Sequence, residues 1–223
     1  MAHVLGVATI GQAPRDDLAA LFAAHAPSGT KVIVRGCLDD LTDEEIAMHK
    51  PEDAADTLYS RLRGSYDVKV SKRFATGRAP KVFADLRADG CHALVFACTG
   101  DFPPIPGDAG VIFPSRVLNG IASSLLQKGR LGIFVPFVEQ SAKLKSKWSR
   151  LDLEVTAEAL VPSGSASEAA DAAKRLKDKQ PDLVAMDCMA YSPETKAIVK
   201  EILGVPTILA ITATGRVINE VLS

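Results

Sequence analysis

The amino-acid sequence predicts an α/β protein built from two similar halves, each with its own parallel sheet. Apolar runs of strand length alternate with segments of helical character along the chain, which is the pattern of parallel sheets covered by helices. The two halves begin alike, with apolar runs at 4–9 and 130–136. The third strand of each half ends at a cysteine, Cys98 in the first and Cys188 in the second.

Turn and capping signals divide the first half into alternating strands and helices. A proline near a helix start, acidic residues in the first turn and a capping box, here Thr42 with Glu45, are typical of helix N-termini. Alternating polar and apolar side chains after Asp67 predict a half-exposed edge strand. The predicted elements are strand 4–9, helix 14–24, strand 31–36, helices 39–48 and 51–62, strand 67–73, helix 79–88 and strand 93–98.

The second half repeats this order with less material between its strands. Three prolines between Asp101 and Gly107 exclude regular structure and predict a stiff loop, a candidate wall or lid beside Cys98. Ser165 and Glu168 form a second capping box. The predicted elements are helix 114–128, strand 130–136, helix 139–151, strand 153–160, helix 166–179, strand 182–188, helix 193–203, strand 205–211 and helix 214–222.

The two halves are expected to form two sub-domains with a cleft between them. The first would contain residues 1–112 with 213–223, and the second residues 113–212. The last helix would then cross back to the first half.

Composition and charge narrow the classes of function. The chain has 223 residues, is 47% hydrophobic and carries a formal net charge of −1, so it provides no basic field for nucleic acid. No apolar run is long enough to span a bilayer, so we expect no membrane partner either. The four cysteines are irregularly spaced and no signal peptide precedes the first strand, so we expect free thiols in a cytoplasmic protein.

The sequence contains no recognisable cofactor or metal motif, so we expect neither group. It has no Walker motif, no dinucleotide fingerprint, no nucleophile elbow, and no cluster of His, Cys or Asp with metal-ligand spacing. His92 does not suit Cys98 as the base of a hydrolase, because the residues between them span roughly 20 Å along a strand.

Cys98 and Cys188 are the candidate catalytic residues. Ligands of parallel α/β sheets bind outside the carboxyl ends of the strands, where both thiols lie. One thiolate could take a proton from a carbon next to a carboxylate, and the other thiol could return a proton to the opposite face. Since a free thiol has a pKa near ~8.5, nearby backbone N–H groups would have to assist. The alternative is that both cysteines pack as small apolar residues, as we expect for Cys37 and Cys91.

The candidate substrate-binding residues lie near the ends of predicted strands or the starts of helices. Gln12 and Arg15 combine helix N–H groups with a guanidinium that can bind a carboxylate, although Arg15 could instead pair with Asp16 or Asp17. Backbone groups of Thr99 and Gly100 could hold a developing enolate oxygen. The full set is Gln12, Arg15, Thr99, Gly100, Ser115, Arg116, Glu139 and Tyr191.

Asp187 directly precedes Cys188 and bears on the role of that thiol. A carboxylate nearby would raise the pKa of a thiol, which would suit Cys188 as the protonated donor rather than the base. If Asp187 is buried, it must be hydrogen-bonded.

Seven short segments, spread over nearly the whole chain, resemble the AroM family. The name of that family suggests a link to aromatic amino-acid metabolism. The layout is also similar, more distantly, to the superfamily of aspartate/glutamate and hydantoin racemases. The resemblance to the AroM family lies in residues 9–15, 70–73, 98–102, 114–116, 135–136, 139–140 and 186–188.

The distant resemblance implies two similar α/β domains with an active site between them. The superfamily includes racemases, maleate isomerase and arylmalonate decarboxylase. In its racemases a cysteine follows a strand in each domain, and Cys98 with Thr99 and Cys188 match those two positions.

We therefore expect a cofactor-independent racemase, isomerase or decarboxylase that acts on a small carboxylate by cysteine acid/base chemistry. The alternative is a non-catalytic protein that binds a small carboxylate and uses its thiols only for packing. The sequence leaves the oligomeric state open, although a homodimer is the commonest assembly for proteins of this size.

Overall fold

The computed structural model describes residues 3–64, 66–137, 147–148 and 152–223. The chain forms two compact units, Met1–Pro114 with Thr214–Ser223 and Ser115–Ala213. Each unit contains a four-stranded parallel sheet with helices, which confirms the predicted α/β class and the two similar sub-domains. No helix among the described residues is long and apolar enough to cross a membrane.

The first unit is built on a sheet whose strands run in the order β2-β1-β5-β6. An antiparallel hairpin, β3 with β4, is added to it. The elements are β1 Val4–Thr9, α1 Asp16–His25, β2 Lys31–Gly36, α2 Asp43–Met48, β3 Thr57–Arg61, β4 Asp67–Ser71, α3 Lys72–Ala88, β5 Ala93–Phe96 and β6 Val111–Ile112.

The second unit repeats the same strand order, β8-β7-β9-β10. The predicted helix 139–151 lies largely outside the described residues. The elements are α4 Pro114–Leu125, β7 Lys128–Val135, β8 Asp152–Ala159, α5 Ala166–Lys177, β9 Leu183–Met186, α6 Pro193–Leu203, β10 Thr207–Leu209 and α7 Ala210–Leu222.

The shared strand order fixes where a ligand would bind in each unit. In both sheets the first strand lies between the second and the third, so the chain leaves it in opposite directions across the sheet. Ligands of open parallel sheets bind at such switch points, outside the carboxyl ends of the strands. The relevant loops therefore follow β1 and β5 in the first unit and β7 and β9 in the second.

The prediction of a helix over residues 51–62 is wrong. The carboxylate of Asp53 accepts the backbone N–H groups of Ala55 and Asp56, at 2.5 and 2.9 Å, and closes a local turn in place of a helix. The following residues form β3, which pairs antiparallel with β4. Arg61 lies opposite Asp67, an opposite-charge pair that favours this register.

Other boundaries differ from the predictions by several residues. The strand predicted over 67–73 ends at Ser71, because the Ser71 side chain accepts the N–H of Phe74 and starts α3 there rather than at residue 79. Both predicted capping boxes, Thr42 with Glu45 and Ser165 with Glu168, are present. The last helix begins at residue 210 rather than 214, directly after β10.

The proline-rich loop 101–107 is packed against the core of the first unit. It has no regular structure, but Phe102 and Ile105 are buried, with 8% and 3% exposed. The Phe102 ring lies 5.0 Å from that of Phe96, measured between centroids. The loop is therefore anchored as a wall rather than held loosely as a lid.

The last helix joins the first unit through a close contact with α1. A Cβ atom at Gly215 would lie 2.7 Å from the Cβ of His25, a separation that real side chains do not tolerate. Only glycine allows α7 to approach the end of α1 so closely.

Candidate functional site

Cys98 lies in a tight turn directly after β5. The ladder continues to Ala97, whose N–H donates to the carbonyl of Ala8 at 2.7 Å. The backbone then turns, and the N–H of Gly100 donates to the Cys98 sulfur at 3.4 Å. The thiol residue is 8% exposed. We call residues 97–100 the Cys98 turn.

Cys188 lies in a matching turn directly after β9. The N–H of Asp187 donates to the carbonyl of Phe134 on β7 at 2.9 Å, which again extends the ladder by one residue. The N–H of Ala190 donates to the Cys188 sulfur at 3.5 Å. The residue is 7% exposed. We call residues 187–190 the Cys188 turn.

The two turns share one geometry. In each, the sulfur accepts a hydrogen bond from the N–H two residues further along, at the carboxyl end of the third strand. A hydrogen bond donated to sulfur stabilises a thiolate more than a thiol. Each turn can therefore support a thiol that gains and loses a proton.

The other two cysteines, Cys37 and Cys91, lie outside the two turns, and the pKa of each thiol is raised. Burial raises the pKa of the Cys37 thiol to about 12, and that residue is only 1% exposed in the core of the first unit. Burial also raises the pKa of Cys91. None of the four cysteines forms a disulfide.

Thr99 and Gly100 belong to the Cys98 turn, and the structure gives Gly100 a clear local role. A Cβ atom there would lie 2.7 Å from the Phe102 ring and 3.2 Å from the Leu58 side chain. Glycine is therefore required at residue 100 because the backbone there lies directly against packed side chains of the first unit. Thr99 is buried, with 8% exposed.

Gln12 braces the loop that follows β1. Its amide nitrogen donates to the carbonyls of Leu38 and Leu41 at 3.1 and 3.0 Å, so both amide hydrogens are used. Its amide oxygen accepts the N–H of Arg63 at 3.2 Å. Both amide hydrogens of Gln12 therefore hold this loop, and its role as a substrate contact stays a prediction.

Asp39 and Arg63 hold the same loop and were not found from the sequence. The Asp39 carboxylate accepts the N–H groups of Ala13 and Gly36 at 2.6 and 2.7 Å. Arg63 donates to the carbonyl of Ala13 at 2.8 Å. The two contacts with Ala13 join segments that are 26 and 50 residues apart in sequence, so no local pattern could have revealed them.

Arg15 is buried at the start of α1, and its guanidinium is bound by Asp17. Two hydrogen bonds of 2.8 Å join the Arg15 fork to both Asp17 oxygens, and Arg61 lies 3.9 Å from the same carboxylate. Burial opposes ionisation of Asp17, but the hydrogen bond and charge of Arg15 outweigh it and lower the pKa of that carboxyl. Asp17 is half exposed, whereas the Arg15 side chain is only 8% exposed.

The remaining predicted binding residues are spread over the second unit. Ser115 is buried and Arg116 exposed in the first turn of α4. Tyr191 is buried after the Cys188 turn, and its hydroxyl donates to the carbonyl of Leu160 at 2.6 Å, which gives it a packing role. Glu139 lies outside the described residues. In each unit, the turn that contains the cysteine therefore lies at the switch point of the sheet.

Asp187 is paired with Lys147, a residue that the sequence analysis did not single out. The Lys147 ammonium donates to both Asp187 oxygens at 2.6 Å, and the two side chains are 9% and 3% exposed. The negative charge of Asp187 therefore has a cation beside it, and the expected influence of Asp187 on the Cys188 thiol stays a prediction. The expectation that a buried Asp187 must be hydrogen-bonded is confirmed.

Comparisons with known proteins agree with this architecture. Residues 5–222 match the family described as AroM protein. An unliganded arylmalonate decarboxylase is similar in structure, with a TM-score of 0.63, 12% identity, and coverage of 100% of this chain and 93% of that one. No curated protein matches the sequence.

Two racemases are also similar in structure. Allantoin racemase from Klebsiella pneumoniae has a TM-score of 0.62 and 14% identity, with 99% of this chain and 88% of that one covered. Glutamate racemase from Bacillus anthracis has a TM-score of 0.60 and 16% identity, with 99% and 81% covered. At these identities the likeness establishes the shared fold, as the distant resemblance to racemases predicted.

Proposed function

The chain belongs to the AroM family, and from that premise we propose that it is a cofactor-independent, racemase-like enzyme. Its reaction would move a proton on or off a carbon next to a carboxylate, with Cys98 and Cys188 as acid and base. The observation that carries the proposal is the matched pair of N–H-to-sulfur contacts, 3.4 Å at Cys98 and 3.5 Å at Cys188.

The chemistry needs one thiolate and one thiol. In a racemisation, the Cys98 thiolate takes the proton, the carbon–hydrogen electrons move into an enolate, and the Cys188 thiol protonates the opposite face. In a decarboxylation, the carbon–carbon bond breaks instead, carbon dioxide leaves, and a thiol protonates the enolate. Both sequences balance without an oxidant, a reductant or a metal.

Arg15 is the residue we propose to bind the substrate carboxylate. Its guanidinium already holds the carboxylate of Asp17 through two parallel hydrogen bonds, the arrangement in which an arginine recognises a carboxylate ligand. Since Asp17 is half exposed, a substrate carboxylate could take its place. The names of the structural neighbours, a decarboxylase and two racemases, support a reaction that moves a proton on or off a carbon atom.

The test is exchange of solvent deuterium into a panel of small chiral carboxylates and malonates, followed by NMR and chiral chromatography. We expect the wild-type protein to exchange at least one member. Cys98→Ser and Cys188→Ser should lose that exchange while keeping the wild-type circular dichroism spectrum. Cys91→Ser is the matched control and should retain it. Unchanged exchange in Cys188→Ser would contradict the proposal.

The burial of both thiols favours a second candidate, a protein that binds a small carboxylate without transforming it. With 8% and 7% exposed, Cys98 and Cys188 could serve packing alone. Iodoacetamide separates the two candidates. An enzyme should be alkylated at both cysteines near neutral pH in the folded state, whereas packed thiols should react only after unfolding.

A further inference from the structure

The Cys98 and Cys188 turns differ in the residue that precedes the thiol. Ala97 precedes Cys98, whereas Asp187, with a fully buried charge, precedes Cys188. The Asp187 carboxylate receives two hydrogen bonds from one ammonium group, that of Lys147. The second unit thus places an ion pair at the carboxyl end of β9, where the Cys188 turn begins.

Stability alone does not account for this ion pair. Two charges that are 9% and 3% exposed have lost most of their hydration. Replacing such a pair with apolar side chains of similar volume is often neutral or stabilising, whereas removing one partner is strongly destabilising. The Lys147 ammonium also lies 5.7 Å from the ring centre of buried Trp148, which keeps it from water.

The ion pair is close enough to act on Cys188. Adjacent Cα atoms are about 3.8 Å apart, so the Asp187 carboxylate and the Cys188 sulfur lie within roughly 8 Å even when they point to opposite sides. At that distance and an effective dielectric constant of about 20, one uncompensated charge changes an ionisation equilibrium by more than about tenfold. Pairing with Lys147 removes most of this effect.

We propose that Lys147 is a positioning residue for Cys188, because it cancels the charge of Asp187, which would otherwise oppose the thiolate that remains after proton donation. This inference rests on the proposed function. When Cys188 protonates an enolate, the enolate electron pair forms the new carbon–hydrogen bond and the S–H electrons stay on sulfur. An uncompensated Asp187 carboxylate would oppose that negative charge on sulfur, and pairing with Lys147 removes this opposition.

The titratable side chains on the Cys188 loop or bonded to it include Asp187, Lys147 and Tyr191, whose hydroxyl donates to the Leu160 carbonyl. Asp187 and Lys147 are therefore the groups to change.

The experiment measures iodoacetamide alkylation of each cysteine against pH, resolved by mass spectrometry of peptides. Asp187→Asn removes the carboxylate charge and keeps the charge of Lys147, so the half-maximal pH for alkylation of Cys188 should fall by about one unit and the rate at pH 7 should rise about tenfold. Lys147→Met should shift that pH upward. The double variant, Lys147→Met with Asp187→Leu, should stay close to wild type because both charges are gone.

Cys98 is the internal control, and its profile should not change in any variant. If the ion pair were purely structural, the variants would change the thermal midpoint of unfolding. The half-maximal pH for Cys188 alkylation would then not fall in Asp187→Asn, rise in Lys147→Met and return in the double variant. If Lys147→Met does not fold, the inference is tested by comparing the pH profile of Cys188 alkylation in Asp187→Asn with that in the double variant. Identical Cys188 profiles in those two proteins, or no labelling of the folded protein, would overturn the inference.

The labelling profile does not require turnover, so the two proposals can fail separately. Shifted profiles without deuterium exchange would remove the proposed function and leave the electrostatic role of Lys147. Deuterium exchange with unshifted pH profiles would support the proposed function and remove the electrostatic role of Lys147.

Discussion

The Cys98 and Cys188 turns share the same N–H-to-sulfur contact but are held in place by different interactions. The Cys98 turn rests on an aromatic cluster, in which the Phe96 ring lies 5.0 Å from Phe102 and 5.9 Å from Phe113. The Cys188 turn begins at a buried ion pair between Asp187 and Lys147. The two units thus share the N–H donor to sulfur but differ in what surrounds it. In the proposed reaction, which needs one base and one acid, the two thiols would have unequal roles.

The largest effect should come from removing the aromatic support of the Cys98 turn. Phe102→Ala deletes a buried ring and should lower the free energy of unfolding by about 3–5 kcal/mol. Urea denaturation followed by circular dichroism measures this loss. A loss below about 1 kcal/mol would mean that the proline-rich loop is not anchored by this ring.

The next-largest effect should come from changing Gly100, which occupies the same place in the Cys98 turn as Ala190 does in the Cys188 turn. Gly100→Ala would force a Cβ against the Phe102 ring, so we expect a loss of about 1–3 kcal/mol and altered alkylation of Cys98. The matched change, Ala190→Gly, should cost only about 0.5–1 kcal/mol. Equal effects at the two sites would show that close packing does not distinguish the turns.

A third difference between the two units is that the first contains a second buried thiol, that of Cys37. Burial raises the pKa of Cys37 to about 12, and the Cys98 charge contributes in the same direction. A raised pKa in the folded state gives stability that is complete below the unfolded value of ~8.5 and is lost as pH rises towards the folded value.

The slope of this loss is at most about 1.4 kcal/mol per pH unit. Between about pH 8 and pH 11 the wild type should therefore lose roughly 1–3 kcal/mol more than Cys37→Ala. Urea unfolding at both pH values tests this. Parallel losses in the two proteins would contradict the buried, protonated state of Cys37.

The smallest effect concerns the carboxylate held by Arg15. Asp17→Asn removes the competing carboxylate, so malonate should bind about three- to tenfold more tightly at low salt. Asp16→Asn makes the same charge change one residue away and should alter the affinity less than about twofold. Isothermal titration calorimetry compares the two. Equal affinities would show that Asp17 does not occupy the ligand position.

Local signals were sufficient to predict much of the fold. Thr42 with Glu45, and Ser165 with Glu168, form the capping boxes that their spacing predicts, because such contacts involve only one helical turn. The matched position of Cys98 and Cys188 followed from the apolar runs before them. These features depend on residues that are close in sequence.

Features that depend on distant partners were missed. Residues 57–61 form a strand because they pair with residues 67–71, and nothing within the segment itself excludes a helix. Lys147 lies 40 residues before Asp187, so the charge of Asp187 looked uncompensated in sequence. Arg63 and Asp39 brace the loop after β1 from separate segments, which left Gln12 available as an apparent substrate contact.

The proposed reaction requires Cys98 and Cys188 to act on one ligand, and protection from alkylation tests this proposal most directly. Iodoacetamide labelling of Cys98, Cys188 and Cys91 is followed in one malonate titration, with each cysteine resolved by mass spectrometry. The account predicts that Cys98 and Cys188 are protected with the same midpoint, while Cys91 is unaffected. Protection of only one thiol, or different midpoints for the two, would contradict it.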